Sequence, residues 1–179
     1  MSVTRVSKNL LIYNHVQEFY SINPAYTKRF YEIIHERLHV SLRILDWLVT
    51  NYSKKLNLQY KVNNTNFNMF LSYKGCLKAF SKRAFDPFAR RERVSVNVPG
   101  FPHELKTTVA QLNFFKWCFL NEVVDYAIQH KDLIEKDMLA SIAHRYEDKP
   151  HGIQRRKRRE LSKNNTRTHV RTNVCIPII

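Results

Sequence analysis

Between Phe30 and Tyr52 the apolar residues Phe30, Ile34, Leu38, Leu42, Leu45, Leu48 and Tyr52 recur at steps of three and four. That spacing draws one stripe along an α-helix and fits no strand. Asn23-Pro24 supplies a start, an N-cap residue followed by proline at the first helical position. Lys54-Lys55 supplies an end, two cations suited to the negative C-terminus. The stretch predicts one helix of about 30 residues, roughly 45 Å long.

Residues 104–147 show the same period. Val109, Leu112, Phe115, Trp117, Phe119, Val123, Tyr126 and Ile128 predict a broad apolar helix with a kink near Asn121. Leu133, Ile134, Met138, Ile142 and Tyr146 extend it or begin another after His130-Lys131-Asp132. Three glycines and six prolines in 179 residues argue against a turn-rich β-sandwich and for long helices. With 44% hydrophobic residues the chain can bury a core of its own.

The segment between the helical stretches is different in kind. Lys61 to Asn66 is polar, a loop or hairpin end, and Phe67, Met69 and Leu71 alternate as in a strand. Leu77, Phe80, Ala84 and Phe85 suit a short helix stopped by Asp86-Pro87. Val94, Val96 and Val98 form a second strand, ended by Pro99-Gly100. Residues 1–22 carry only weak structural signal, with Leu10, Leu11, Tyr13 and Val16 as anchors. The predicted fold class is mainly α (α+β). A long N-terminal helix and a C-terminal helical pair surround a small two- to three-stranded β element. By domain, residues 1–22 are an N-terminal arm, 23–150 one helical core and 151–179 a basic tail.

Thirty Lys+Arg against fifteen Asp+Glu leave a net charge of +15, which draws polyanions through long-range, salt-screened fields. The cations cluster twice. Lys74, Lys78, Lys82, Arg83, Arg90, Arg91 and Arg93 interleave with Tyr73, Phe80, Phe85 and Phe88. Such interleaving suits single-stranded nucleic acid, whose bases stack on rings while cations follow phosphate. The plainer expectation is that these rings pack the core while the cations form an outward face, with Lys74, Lys78 and Lys82 on one side of a helix. The second cluster, Arg155, Arg156, Lys157, Arg158 and Arg159, opens a tail with eight cations and one Glu. It reads as a nuclear-localisation signal or a phosphate-binding arm.

Catalytic patterns are sparse. His35-Glu36-Arg37-Leu38-His39 matches H-E-x-x-H, in which two histidines four apart on a helix hold zinc and the Glu activates its water. Arg37 places a cation beside that site. Leu42 and Leu45 stand where an extended motif needs glycine and a third histidine, and His39 lies close to the apolar stripe. The plainer reading has His39 partly buried, with His35 and Glu36 near the surface. There is no phosphate-binding glycine loop and no nucleophile elbow, so neither catalytic residues, metal nor cofactor are expected. Asp46, between Leu45 and Trp47, should form an ion pair with Arg43 or an arginine of 83–93. Cys76, Cys118 and Cys175 are odd in number and far apart, as suits small buried residues in a reducing compartment. No window approaches the ~20 apolar residues of a membrane span.

The phrases SLRILDWLVTNYSKK (41–55), LSYKGCLKAFSKRAFDPFARRERV (71–94), TTVAQLNFFKW (107–117) and RRKRRELS (155–162) resemble a small basic protein family of the nucleocytoplasmic large DNA viruses. The resemblance implies a virus replicating in cytosol or nucleus and a non-enzymatic product. The leading expectation is a structural virion protein, a minor capsid component that clips neighbouring virion or capsid proteins through its core and basic extensions. Its cations would meet acidic capsid surfaces or anionic membrane headgroups, within the virion and in host cytoplasm or nucleus during assembly. The alternative is a nucleic-acid-binding protein for packaging or viral transcription, with a zinc peptidase a remote third.

Overall fold

The computed structural model describes residues 8–35, 37–90, 93–98, 100 and 104–147. The fold is mainly helical, with two separate two-stranded antiparallel sheets. The tail expected over 151–179, including Arg155 to Arg159, lies outside the described residues, as do Glu36 and Arg91.

The N-terminal stretch holds more structure than its pattern suggests. Helix α1 (Lys8–Ile22) buries Ile12, Val16 and Tyr20, one position per turn. The Tyr20 hydroxyl donates to the Leu112 carbonyl at 3.1 Å. Polar neighbours dilute this stripe, so tertiary contact rather than propensity makes the helix. Of the expected anchors Val16 is buried and Tyr13 half-buried, whereas Leu10 and Leu11 are exposed.

Helix α2 (Pro24–Ile34) starts at Asn23 as predicted. The Asn23 amide, however, donates backward to the Phe19 carbonyl at 3.0 Å, closing α1. The single long helix is not formed. His35 ends α2, His39 takes a φ of 56°, and Ser41 caps α3 (Leu42–Trp47) by accepting from the Ile44 amide at 3.3 Å. This reversal buries Val40 and preserves the apolar stripe on both sides, which is why periodicity alone does not reveal it. Helix α3 continues as a π-helical turn (Leu48–Tyr52) into α4 (Ser53–Lys55).

A hairpin follows. Strands β1 (Gln59–Val62) and β2 (Thr65–Asn68) pair with Val62 opposite Thr65. Asn63 and Asn64 make the two-residue turn, both at positive φ. Met69 and Leu71 belong to helix α5 (Met69–Phe80) and not to a strand, because Asn68 caps the helix by accepting from the Leu71 amide at 3.0 Å. α5 ends at Ser81, at φ 63°, five residues ahead of the predicted stop at Asp86-Pro87. Ala84 and Phe85 are therefore buried from an irregular turn, not a helix.

Strand β3 (Arg93–Val96) bears out the alternation at Val94 and Val96 but ends before Val98, and it pairs with β4 (Leu105–Thr108), a stretch whose pattern reads as helical. The helical run then divides into α6 (Val109–Leu120), α7 (Val123–Gln129) and α8 (Lys131–Glu147). The expected break near Asn121 is made by Glu122 at φ 54°. The core gathers around α6, which is buried at every position from Leu112 to Phe119. Phe115 meets Phe30 edge-on at 4.8 Å between ring centroids, and Tyr26 stacks on Phe119 at 4.9 Å. On the far side, Asp137 of α8 accepts from the Trp47 indole at 3.0 Å and pairs with Lys55 at 2.5 Å.

Candidate polyanion-binding groove

A groove of about 460 Å³ opens between three segments. Asp46, Thr50 and Lys54 come from the α3–α4 helix, and Phe70, Tyr73, Lys74 and Leu77 from α5. Lys82, Phe85, Asp86 and Phe88 come from the turn after α5. A second cavity of about 280 Å³, lined by Tyr13, Gln17, Thr27, Val94 and Asn97 among others, has no charged side chain in its wall. Of these two, the first alone carries charged side chains.

Helix α6 holds both sides of the groove. The Asn113 amide donates to the Ala84 carbonyl at 2.8 Å and the Gln111 amide to the Pro87 carbonyl at 2.7 Å. The Asp86 amide donates to the Ala110 carbonyl at 3.4 Å and the Thr108 hydroxyl to the Ala89 carbonyl at 3.5 Å. These bonds pin the turn that carries Phe85, Asp86 and Phe88. The Trp117 indole donates to the Ser72 hydroxyl at 3.0 Å, fixing α5 opposite. The phrases QLNFFKW and FDPF are thus one structural unit, the first bonding the backbone of the second.

The rings behave largely as expected. Tyr73 and Phe85 are buried and Phe80 is half-buried, but Phe88 is 45% exposed at the rim. Two ammonium groups approach the Phe70 ring, Lys54 Nζ at 5.8 Å and Lys74 Nζ at 5.9 Å from its centroid, within cation–π reach. Burial raises the pKa of Asp46, Asp86 raises it further, and Lys82 pulls it partly back. Burial beside Asp46 and Asp86 pushes the Tyr73 hydroxyl up to about 12.

Of the predicted cations, Lys74 and Lys82 line the groove. Lys78 is exposed one turn further along α5, and Arg83, Arg90 and Arg93 are exposed beyond it. Lys82 does not share a helical face with Lys74 and Lys78, because α5 has already ended; the Ser81 turn delivers it to the groove instead. Among the described residues Asp46 makes no ion pair with Arg43, Arg83, Arg90 or Arg93, and the described cation acting on it is Lys82. Lys54 and Phe70 were missed. Lys54 reads as a helix-ending cation, and only the tertiary fold brings it over the Phe70 ring.

The H-E-x-x-H geometry is absent. α2 ends at Ile34, residues 37–39 turn, and His35 and His39 are both exposed, so no helical face presents the pair and His39 is not partly buried. Among the described residues no three His, Cys, Asp or Glu gather closely enough to hold a metal. Cys118 is buried, which pushes its thiol pKa well up, and Cys76 is half-buried. No helix among the described residues is long and apolar enough to cross a membrane.

The family of unknown function DUF7197 matches residues 3–178. An uncharacterised protein of Acanthamoeba polyphaga mimivirus is 34% identical over 143 residues, covering 73% of this chain and 54% of the relative. The chain thus spans about half the length of the curated relative it matches. No solved structure matches. With nearly its whole length matched and a mimivirus protein among its relatives, the chain belongs to the DUF7197 family and is a protein of a large DNA virus.

Proposed function

We propose that the protein is non-enzymatic and binds nucleic acid along the lysine-rimmed groove, in packaging or transcription of the viral genome. One observation carries this reading: Lys54, Lys74 and Lys82, from three separate segments, converge on one ring-floored groove. Scattered solvating lysines need no such convergence. Ammonium groups supply sequence-independent attraction to phosphate, and exposed Lys78, Arg83, Arg90 and Arg93 extend the positive surface away from the groove. The run Arg155 to Arg159 adds further cationic charge to the chain.

Titration of labelled single strands and duplex at two salt concentrations tests it. Affinity should fall steeply with salt, and replacing Lys54, Lys74 and Lys82 together by alanine should flatten the slope by about 2, at ~0.7 per single-strand phosphate contact. No binding to either form at low salt rejects the reading.

A second reading, a minor capsid protein clipping neighbouring virion proteins, is favoured by the outer face of α8. There Leu139 is exposed beside Ala140 and Ala143, and Leu133 is exposed nearly two turns before. Acidic capsid proteins or an anionic membrane surface would then meet the cations. Absence of the protein from purified virions would reject this role.

A further inference from the structure

We propose that the groove reads a base as well as holding phosphate, taking one unpaired guanine of a single strand. The inference rests on the nucleic-acid reading above and adds what the lysines cannot supply, since phosphate contacts carry no sequence information.

Two carboxylates in a groove built for a polyanion need a reason. Asp46 is half-buried, and its carboxyl takes no hydrogen bond or ion pair among the described residues. Asp86 uses one oxygen to accept from the Phe88 amide at 2.8 Å, which fixes its side chain at the rim and leaves the other oxygen without a partner among the described residues. An ionised carboxylate only accepts. Of the bases, guanine alone presents two adjacent donors, N1–H and the N2 amino group, on its Watson–Crick edge. Adenine and cytosine offer one amino group each. Thymine and uracil flank their single N–H with two carbonyl oxygens, which two carboxylates repel.

The remaining parts fit the same occupant. The exposed Phe88 ring lies two residues from Asp86, where a base can stack on it while its edge meets the acids. Lys54 and Lys74, both near the Phe70 ring, and Lys82, beside Asp46, can take the flanking phosphates. A volume of about 460 Å³ lies within the range of small-ligand pockets. In duplex the Watson–Crick edge is already paired, so the strand must be single. Burial makes a lone Asp46 carboxylate costly, and a donor-bearing edge relieves that cost.

The test uses the full chain and labelled oligo-dT strands carrying one central dG, one central deoxyinosine, which lacks the N2 amino group, or neither. The dG strand should bind about tenfold tighter than oligo-dT, with inosine between them, as expected for a bidentate base contact. Asp46→Asn should make the dG and dT strands bind alike while oligo-dT affinity holds or rises, with melting no lower than that of the wild type as the folding control. Equal affinity for all three strands with binding retained would overturn the base reading and leave the polyanion reading standing. Failure to bind any strand at low salt would remove both. Guanosine monophosphate as competitor separates the two sources of the base. A requirement for large excess supports a strand, whereas displacement at equal concentration keeps the pocket and overturns the strand as its occupant.

Discussion

Helices α5 and α6 are each twelve residues long, and each is started by a side-chain oxygen accepting from the third residue on. Their surroundings are opposite. α6 is buried from Leu112 to Phe119, its Asn113 and Gln111 used as staples to other segments. α5 buries only Met69 and Tyr73 and leaves Leu71, Lys74, Gly75 and Lys78 exposed. A Cβ added to Gly75 would meet nothing within 4 Å. Stability and the candidate binding surface are therefore carried by neighbouring helices joined through Trp117, and substitutions should separate them.

The largest effect should come from Phe115→Ala. This ring is fully buried against Phe30, and its loss should cost about 3–5 kcal/mol in urea unfolding. Leu71→Ala on α5, where the side chain is 65% exposed, should stay within about 0.5 kcal/mol. Similar costs for the two would end the contrast.

Asn113→Ala probes the join. It leaves the buried Ala84 carbonyl without its donor, at about 1–3 kcal/mol, and frees the turn that carries Asp86 and Phe88. Both melting temperature and strand affinity should drop. A loss of stability with affinity intact would mean that the rim is positioned by its other three bonds alone.

The lock between α3 and α8 should lose about 1 kcal/mol when Asp137 becomes Asn, with a definite pH signature. The bonds from Lys55, then that from Trp47, hold the Asp137 carboxyl below its ordinary value. Its contribution is thus present above the ordinary Asp range and is lost as pH falls through the depressed folded value. The stability gap between wild type and Asp137→Asn should be constant at neutral pH and close only in strong acid.

Why some of this was legible in the sequence and some not comes down to what a period can record. Spacing reports which side chains face the core, and it placed Phe30, Leu45, Leu48, Leu112 and Phe115 there. It does not report where the backbone reverses. The reversals at His39, Ser81 and Glu122 use positive φ at residues other than glycine, so scarce glycine did not mean few left-handed turns. Two predicted helices were cut at such points without any break in their apolar stripe. α1 escaped notice because its buried positions are separated by Asn, His, Gln and Glu. In the groove, Lys74 and Lys82 announced themselves by local cation density, whereas Lys54 and Asp46 join only through the tertiary fold.

On the α5 side the effects on stability should be small. Lys74→Ala should leave the melting temperature nearly unchanged, since an exposed cation near a ring contributes about 0.5–1 kcal/mol at most. Its signature is instead a weaker, less salt-dependent affinity for every strand.

The smallest effect has an unusual sign. Asp46 is raised above its ordinary pKa by burial first and by Asp86 second, so the folded state holds its proton more tightly than the unfolded chain does. Its ionised form therefore destabilises the fold, fully so above the raised folded value, and the penalty vanishes as pH falls to the ordinary Asp range. Asp46→Asn should accordingly stabilise the protein at neutral pH, by less than about 1 kcal/mol because solvent reaches the groove. The gain should shrink on acidification. Destabilisation at neutral pH would instead reveal a partner holding the carboxylate, and the groove would then lack the free acceptor that distinguishes it from a plain cationic surface.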